Sequence, residues 1–293
     1  MSFSKSLYNF IQQTSETVKA SIHRAGSTFI TLFLFTKSDI KTTLLPIASG
    51  ILRSAIGGMV AAPIWSFGNF VEEFLWIWLH LLQFTTSNQS CSLTAVSEDT
   101  DNKPDRPIPA GRMTLRQVRI LRWSLVPVCL AVSYQFSTSV LASSVAVIAI
   151  TTWYNEFGGG GNHWFIRNLL NGLGFGAFQA GRDRTEFDIV AARAILLSIG
   201  IYATTTHTQD FKDIEGDSKF NRSTVPLAHP RVARPSVLVG LMAWSSFLPY
   251  VWELNAVTTM AMFILAAFVG VRFCTKDGRR NDQISFYWYN VSS

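Results

Sequence analysis

The sequence predicts an all-α protein, a polytopic transmembrane helix bundle of about eight spans, and three observations predict it. Of 293 residues, 48% are hydrophobic and only 15% charged, against about 25% charged in an average soluble domain. The apolar residues fall in runs near the length a bilayer demands, about 20 residues and within roughly 17–25. Two long hydrophilic stretches, 87–117 and 207–234, separate those runs and carry both acids and bases. The aromatic content, 22 Phe, 9 Trp and 7 Tyr, suits lipid-facing surfaces and interfacial belts. It suits equally a cavity lined with π-faces.

Residues 1–30, within an N-terminal segment 1–37, carry Lys5, Lys19 and Arg24 but no apolar core followed by a small-residue cleavage site. That argues against a cleavable signal peptide. The stretch reads as an interfacial, amphipathic segment; a mitochondrial transit peptide is a weaker reading, given one arginine. Residues 38–293 form the membrane domain. Its candidate spans are 42–64, 68–86, 118–136, 138–155, 164–181, 188–206, 235–253 and 256–274. The second, seventh and eighth are the clearest. The fifth is interrupted by Arg167, Asn168 and Asn171, which makes sense only if they face a protein interior or a cavity.

Four spans separate the two hydrophilic stretches, so both emerge on one face of the membrane. Cations collect there: Lys37 and Lys41 before the first span, Lys103, Arg106 and Arg112 in the first loop, Lys212, Lys219 and Arg222 in the second. The other face holds Arg182, Arg184 and Arg193 near Asp183 and Glu186. The positive-inside rule places the loops in the cytosol, on the endoplasmic reticulum or another endomembrane. The sequons at Asn88, Asn221 and Asn290 then stay unglycosylated.

The net charge is +6, but its cations lie between apolar runs and no nucleic-acid-reading module is visible, so nucleic acid is not a partner. Cys91, Cys129 and Cys274 form no CxxC pair, and the five histidines lack metal-ligand spacing, so no zinc site is indicated. A transporter is disfavoured because the charges sit in loops and no inverted repeat is evident.

The second loop reads Asp210-Phe-Lys-Asp213-Ile-Glu215-Gly-Asp217. On a helix, Asp210, Asp213 and Asp217 share one face. Three like charges there repel, so the face is either solvated or bridged by a divalent cation. Mg²⁺ prefers oxygen ligands and commonly keeps substrate phosphates in its shell. The first loop runs from Glu98-Asp99 into Lys103-Pro104-Asp105-Arg106-Pro107-Ile-Pro109. Prolines stiffen it, and Lys103 and Arg106 suit phosphate. Acids for Mg²⁺ and cations for phosphate, above an aromatic bundle, fit a ligand with a diphosphate head and a long apolar tail, such as an isoprenoid diphosphate.

These motifs are familiar. Asp99-Thr-Asp-Asn102-Lys103-Pro104-Asp-Arg106-Pro107-Ile-Pro109-Ala-Gly111-Arg112 resembles the segment that closes the first aspartate-rich motif of UbiA-type prenyltransferases. Asp213-Ile-Glu-Gly-Asp217, with Asp210 before and Arg222 and Thr224 after, resembles their second motif. The resemblance covers about 38–290. It implies a helical bundle around a central cavity, with two Mg²⁺ ions holding the diphosphate and promoting its loss to an allylic cation. Asp99, Asp213 and Asp217 would be the catalytic metal ligands, with Asn88, Glu98 and Asp210 as further metal-binding candidates. Lys103, Arg106, Lys212 and Arg222 would bind the diphosphate.

The sequence departs from the family pattern Asn-x-x-x-Asp-x-x-x-Asp. Counting back from Asp99, those slots hold Ala95 and Cys91, while Asn88-Gln89 lies three residues earlier. Asn-Gln followed by Glu-Asp, together with Tyr154-Asn155-Glu156 and Arg167-Asn168-x-x-Asn171, resembles the divergent fungal branch that includes UbiA-type terpene cyclases of secondary metabolism. Such proteins typically have nine spans, and this chain reaches Ile284–Asn290 about where a ninth would begin, so the ninth helix is expected to be missing and the cavity to be open to lipid on that side. The resemblance thus implies an Mg²⁺-dependent terpene cyclase acting on farnesyl or geranylgeranyl diphosphate. A prenyltransferase using an aromatic acceptor and an inactive or truncated homologue are the alternatives. Trp153, Tyr154, Trp164, Phe175 and Phe178 are the aromatic candidates for the cavity wall.

Overall fold

The computed structural model describes residues 2–44, 67–182 and 189–292. All regular structure among them is helical. The expected span 42–64 lies almost wholly outside the described residues, as does most of the short connection that carries Asp183, Arg184 and Glu186. The other seven candidate spans each coincide with a helix.

Helix α1 (Ser2–Thr36) leads into a π-helical turn at Ile40–Leu44. Residues 14–30 are exposed, but the last turn belongs to the bundle: Phe35 and Thr36 are fully buried. The Gln89 amide donates to Phe35 O at 2.9 Å, and the Trp78 indole donates to Thr36 Oγ1 at 3.2 Å.

The bundle follows as α2 (Phe67–Ser90), α3 (Leu93–Asn102), α4 (Leu115–Phe136), α5 (Thr138–Glu156), α6 (Trp164–Arg182) and α7 (Ile189–Thr205). Two 3₁₀ turns, Thr206–Gln209 and Phe211–Asp213, then lead to the short α8 (Ile214–Lys219) and α9 (Val225–Ala228). Long helices resume as α10 (Pro230–Val251), α11 (Ala256–Thr275) and α12 (Arg279–Ser292). Local chemistry sets several boundaries. Thr114 and Gln117 close a reciprocal capping box at the start of α4, satisfying amide donors a helix otherwise leaves unpaired. Pro230 opens α10 at a position needing no backbone donor.

Neighbours in sequence are mostly neighbours in space. α2 packs on α4, α4 on α5, α5 on α6, α6 on α7, α7 on α10, α10 on α11 and α11 on α12. The α6–α7 pair lies very close: a Cβ added to Gly172 would come within 2.7 Å of the Ile199 carbonyl.

Only the stretches Ile189–Lys219 and Ala256–Thr275 are, among the described helices, long and apolar enough to qualify as spans by themselves. The expectation of about eight spans therefore stands in part: of the three candidates read as clearest, 256–274 qualifies, 68–86 and 235–253 do not, and the sixth candidate, 188–206, does. The reason is visible in burial: among the described residues, buried polar side chains are as numerous as buried apolar ones. They pair inside the bundle. His80 Nε2 lies 2.7 Å from Ser144 Oγ, and the Trp76 indole donates to Ser133 Oγ at 2.8 Å. Large apolar side chains such as Ile120, Leu196, Val239, Ile264 and Phe268 point outward. A helix with polar groups inward and apolar groups toward lipid scores poorly on average hydropathy.

The wall helix that the sequence reading expects to be missing after the eighth span is not missing among the described residues: Arg279–Ser292 is helical and lines the cavity. α12 packs against α11 and both 3₁₀ turns, with Phe286 and Tyr289 buried in a cluster that includes Phe211, Val237 and Phe273.

Candidate active site

The first loop is built from a helix break. α2 ends at Ser90, and Ser92 caps α3 by accepting from the Ala95 amide at 3.0 Å. Asn88 thus belongs to one helix, and Ala95, Glu98 and Asp99 to the next. After Asn102 the chain turns tightly: the Arg106 amide donates to Lys103 O at 3.0 Å and the Ala110 amide to Arg106 O at 2.9 Å. The turn sends Arg106 back onto α3, its Nη1 2.6 Å from Asp99 Oδ1.

The second loop is not one helix. Asp210 ends the first 3₁₀ turn, Asp213 ends the next and Asp217 lies in α8, so the three aspartates do not share a helical face. The physical cause is an unlike partner. Arg167, on α6, places Nη2 2.8 Å from Asp210 Oδ1 and donates through Nη1 to Tyr154 Oη at 2.7 Å and Gly160 O at 2.8 Å. Asp210 turns inward to meet it, and Asp210 and Asp217 are only 2% and 3% exposed. A freely solvated acidic cluster is therefore excluded.

The two loops dock on one another, as the topology requires. Arg222 Nη2 lies 2.8 Å from Glu98 Oε2, and its Nη1 3.8 Å from Asp217 Oδ1. Lys219 pairs with Asp101, 118 residues away in sequence. A Cβ on Gly216 would come within 2.8 Å of Asn102 Nδ2. Lys212 pairs with Asp213. Asp105, on the solvent side, pairs with Lys37 at 2.8 Å.

Beneath the docked loops is a cavity of about 510 Å³, within the usual range for small-molecule sites. Every predicted site residue lines it: Asn88, Glu98, Asp99, Lys103, Arg106, Asp210, Lys212, Asp213, Asp217 and Arg222. Of the predicted aromatics, Tyr154, Phe175 and Phe178 line it. Trp153 faces outward, and Trp164 packs edge-on against His229 instead. The wall also holds residues that sequence reasoning missed: Phe84, Tyr202 and, from α12, Phe286, Tyr287 and Tyr289. Their signal was faint, since an aromatic in an apolar run looks the same facing lipid or cavity. Arg167 had a clearer signal as a cation inside a span.

The electrostatics are tense. Burial raises the Asp217 carboxyl, Arg167 and Arg222 oppose, Asp210 reinforces, and the result is about 6. Burial also raises Glu98 against the pull of Arg222. Burial would raise Asp213, but Lys212 and Lys103 outweigh it and leave the carboxyl below its ordinary value. Lys103 is held below its usual range by burial and by Arg106 and Lys212 beside it.

Carboxylates on the lining are no fewer than cations, so a polyanion alone would gain little attraction. A polyanion accompanied by divalent cations fits. As they stand, no three carboxylates among the described residues converge on one point, each being turned toward an arginine or lysine. Asp210 and Asp217 nevertheless each keep one buried oxygen without a partner, Oδ2 in both. Hard, orphaned oxygens of this kind suit Mg²⁺. Ala95 lines the cavity where the family pattern has an aspartate, and it offers no ligand atom.

Comparison with known proteins agrees with the architecture. The chain is 33% identical over 265 residues to the fumagillin beta-trans-bergamotene synthase of Aspergillus fumigatus, covering 88% of this chain and 87% of that protein. It is 30% identical over 280 residues to the somaliensene A/B synthase of Streptomyces somaliensis, covering 89% of each. It is 26% identical over 265 residues to the polyprenyl transferase eriF of Hericium erinaceus, covering 88% of each. The fold matches a UbiA homologue from Archaeoglobus fulgidus bound to DMAPP and Mg²⁺, with a TM-score of 0.64 at 15% identity, over 89% of this chain and 98% of that one. The model of the UbiA prenyltransferase family matches residues 44–291, and the chain belongs to that family of membrane enzymes.

Proposed function

We propose that the protein is an Mg²⁺-dependent terpene cyclase that ionises farnesyl or geranylgeranyl diphosphate and closes the resulting cation on the substrate's own double bonds. The observation that carries this reading is the joining of two remote acidic loops over a single cavity whose depth is apolar and aromatic. The similarity to two terpene synthases at 30% identity or more supports the cyclase branch.

Asp210, Asp213 and Asp217 from one loop, and Asn88, Glu98 and Asp99 from the other, would hold the metal. Bound Mg²⁺ supplies positive charge that stabilises a departing diphosphate. Lys103, Arg106, Lys212 and Arg222 take the anionic head, and they stay fixed while the allylic C–O bond breaks and the diphosphate leaves with the electron pair. Arg167, which also lines the cavity, would act as a positioning residue by anchoring Asp210. Phe175, Phe178 and Tyr202 line the cavity where the hydrocarbon chain would lie, and a cation that comes over an aromatic face gains roughly 2 kcal/mol when desolvated.

A second reading has support from the similarity to a polyprenyl transferase: the same ionisation, followed by capture on an aromatic acceptor. Incubating membranes with each diphosphate and Mg²⁺, without an acceptor, separates the two. A cyclic hydrocarbon or alcohol in the extract, lost in Asp213→Ala, is the expected result. A product that forms only after an aromatic acceptor is added would overturn the cyclase in favour of the transferase.

A further inference from the structure

One polar group on the cavity wall has no part in the diphosphate site. Asn171 lies on α6 four residues past Arg167, one helical turn and about 6 Å along the axis. α6 starts at the loop face, where the Trp164 amide donates to Ser223 Oγ at 3.3 Å. Asn171 is therefore deeper in the bundle than the Arg167–Asp210 pair. It shares the lining with Leu170, Gly174, Phe175 and Phe178 of the same helix, and Phe175 stacks on Tyr202 with centroids 3.9 Å apart.

Its Nδ2 is buried without a hydrogen-bond partner among the described residues. A buried amide donor left without a partner is costly to the folded state. Asn168 also keeps an unpartnered atom, but it is absent from the cavity lining. His80, Ser144, Trp76 and Ser133, by contrast, pair with one another. Asn171 is thus an unsatisfied dipole placed where the hydrocarbon part of a ligand would run. An isoprenoid chain offers no hydrogen-bonding atom there. Once ionised, it offers positive charge. The terminal torsion of asparagine is broad and roughly two-fold, so the carbonyl end can be presented to that charge.

Resting on the terpene-cyclase reading, we propose that Asn171 is a specificity-determining residue whose carbonyl dipole selects the carbon of the isoprenoid chain that holds the positive charge during ring closure. A dipole aimed at developing charge acts strongly once the ligand has displaced water, and its position one turn below the Arg167–Asp210 pair favours charge that has moved away from the ionised carbon.

The test uses the full chain in membranes, with Asn171→Leu and Asn171→Ala beside the parent, and farnesyl and geranylgeranyl diphosphate supplied separately with Mg²⁺. Diphosphate release and product distribution are measured together. Both variants should release diphosphate within about threefold of the parent, while the share of the parent's main cyclic product falls at least about tenfold, a change of the size that losing one preorganised dipole can cause. The lost share should reappear as acyclic or less cyclised isoprenoids. An unchanged distribution in Asn171→Ala overturns the inference, and a shift confined to the leucine variant does so too, because it reports bulk. Slowed diphosphate release with an unchanged distribution would assign Asn171 to ionisation and likewise overturn it. If the leucine variant fails to accumulate, the alanine variant alone decides. A parent that releases no diphosphate, or does so only with an aromatic acceptor, removes the cyclase reading, and this inference with it.

Discussion

Asp217 concentrates the chemistry of the site in one side chain: it is buried, it lies between Arg222 and the Arg167–Asp210 pair, and one of its oxygens has no partner. Replacing it with asparagine keeps the shape and removes the charge. Asp217→Asn should reduce turnover by roughly 10²–10³-fold, the scale of removing one electrostatic contributor, while the protein still elutes as a monodisperse species. Turnover within a few-fold of the parent would exclude Asp217 as a metal ligand. Asp105 is the contrasting case. Its pair with Lys37 leaves both side chains more than half exposed, and such pairs contribute about 0–1 kcal/mol. Asp105→Ala should leave activity and the thermal midpoint nearly unchanged; a large loss of activity would show that the Lys37 tether orders the loop. The acids and cations of the loops were legible in the sequence because their types and spacing are read locally. Arg167 as the partner of Asp210 was not, since the two are 43 residues apart and only packing brings them together.

Among the elements, α12 departs furthest from the sequence reading. Its residues are too polar to announce a span, yet they form a wall of the cavity. Asp282 is almost fully buried and accepts a two-pronged contact from Arg234, at 2.8 and 3.0 Å. The same guanidinium lies 4.7 Å from the Phe211 ring centroid, so one arginine ties α10 and α12 to the second acidic loop. Breaking a buried pair costs about 3–5 kcal/mol because the remaining charge is uncompensated. Arg234→Met and Asp282→Leu should each lower the thermal midpoint in detergent clearly, whereas the double variant should recover most of the loss. A double variant as unstable as the sum of its singles would mean the two residues act independently. The second loop teaches a related lesson. Helical periodicity placed three aspartates on one face, but tertiary ion pairs broke the segment into 3₁₀ turns.

For the whole molecule, the even number of spans read between the two acidic loops predicts that both emerge at one end of the bundle, and there they dock through Arg222–Glu98 and Lys219–Asp101. What average hydropathy could not reveal was the interior: a bundle that buries histidine, arginine and asparagine dilutes the apolar signal of the helices carrying them. The cytosolic orientation is a proposal with a specific consequence. In eukaryotic cells Asn221, exposed in the second loop, should carry no sugar; a mobility shift on glycosidase treatment would contradict a cytosolic active site. The central claim is that the two loops form one Mg²⁺-dependent centre. The most direct measurement is diphosphate release by the purified protein from farnesyl or geranylgeranyl diphosphate, without acceptor, for the parent, Asp99→Asn and Asp217→Asn. Release that requires Mg²⁺ and disappears in both variants, one from each loop, is the predicted result; release that survives chelation of the metal, or persists in either variant, would contradict it.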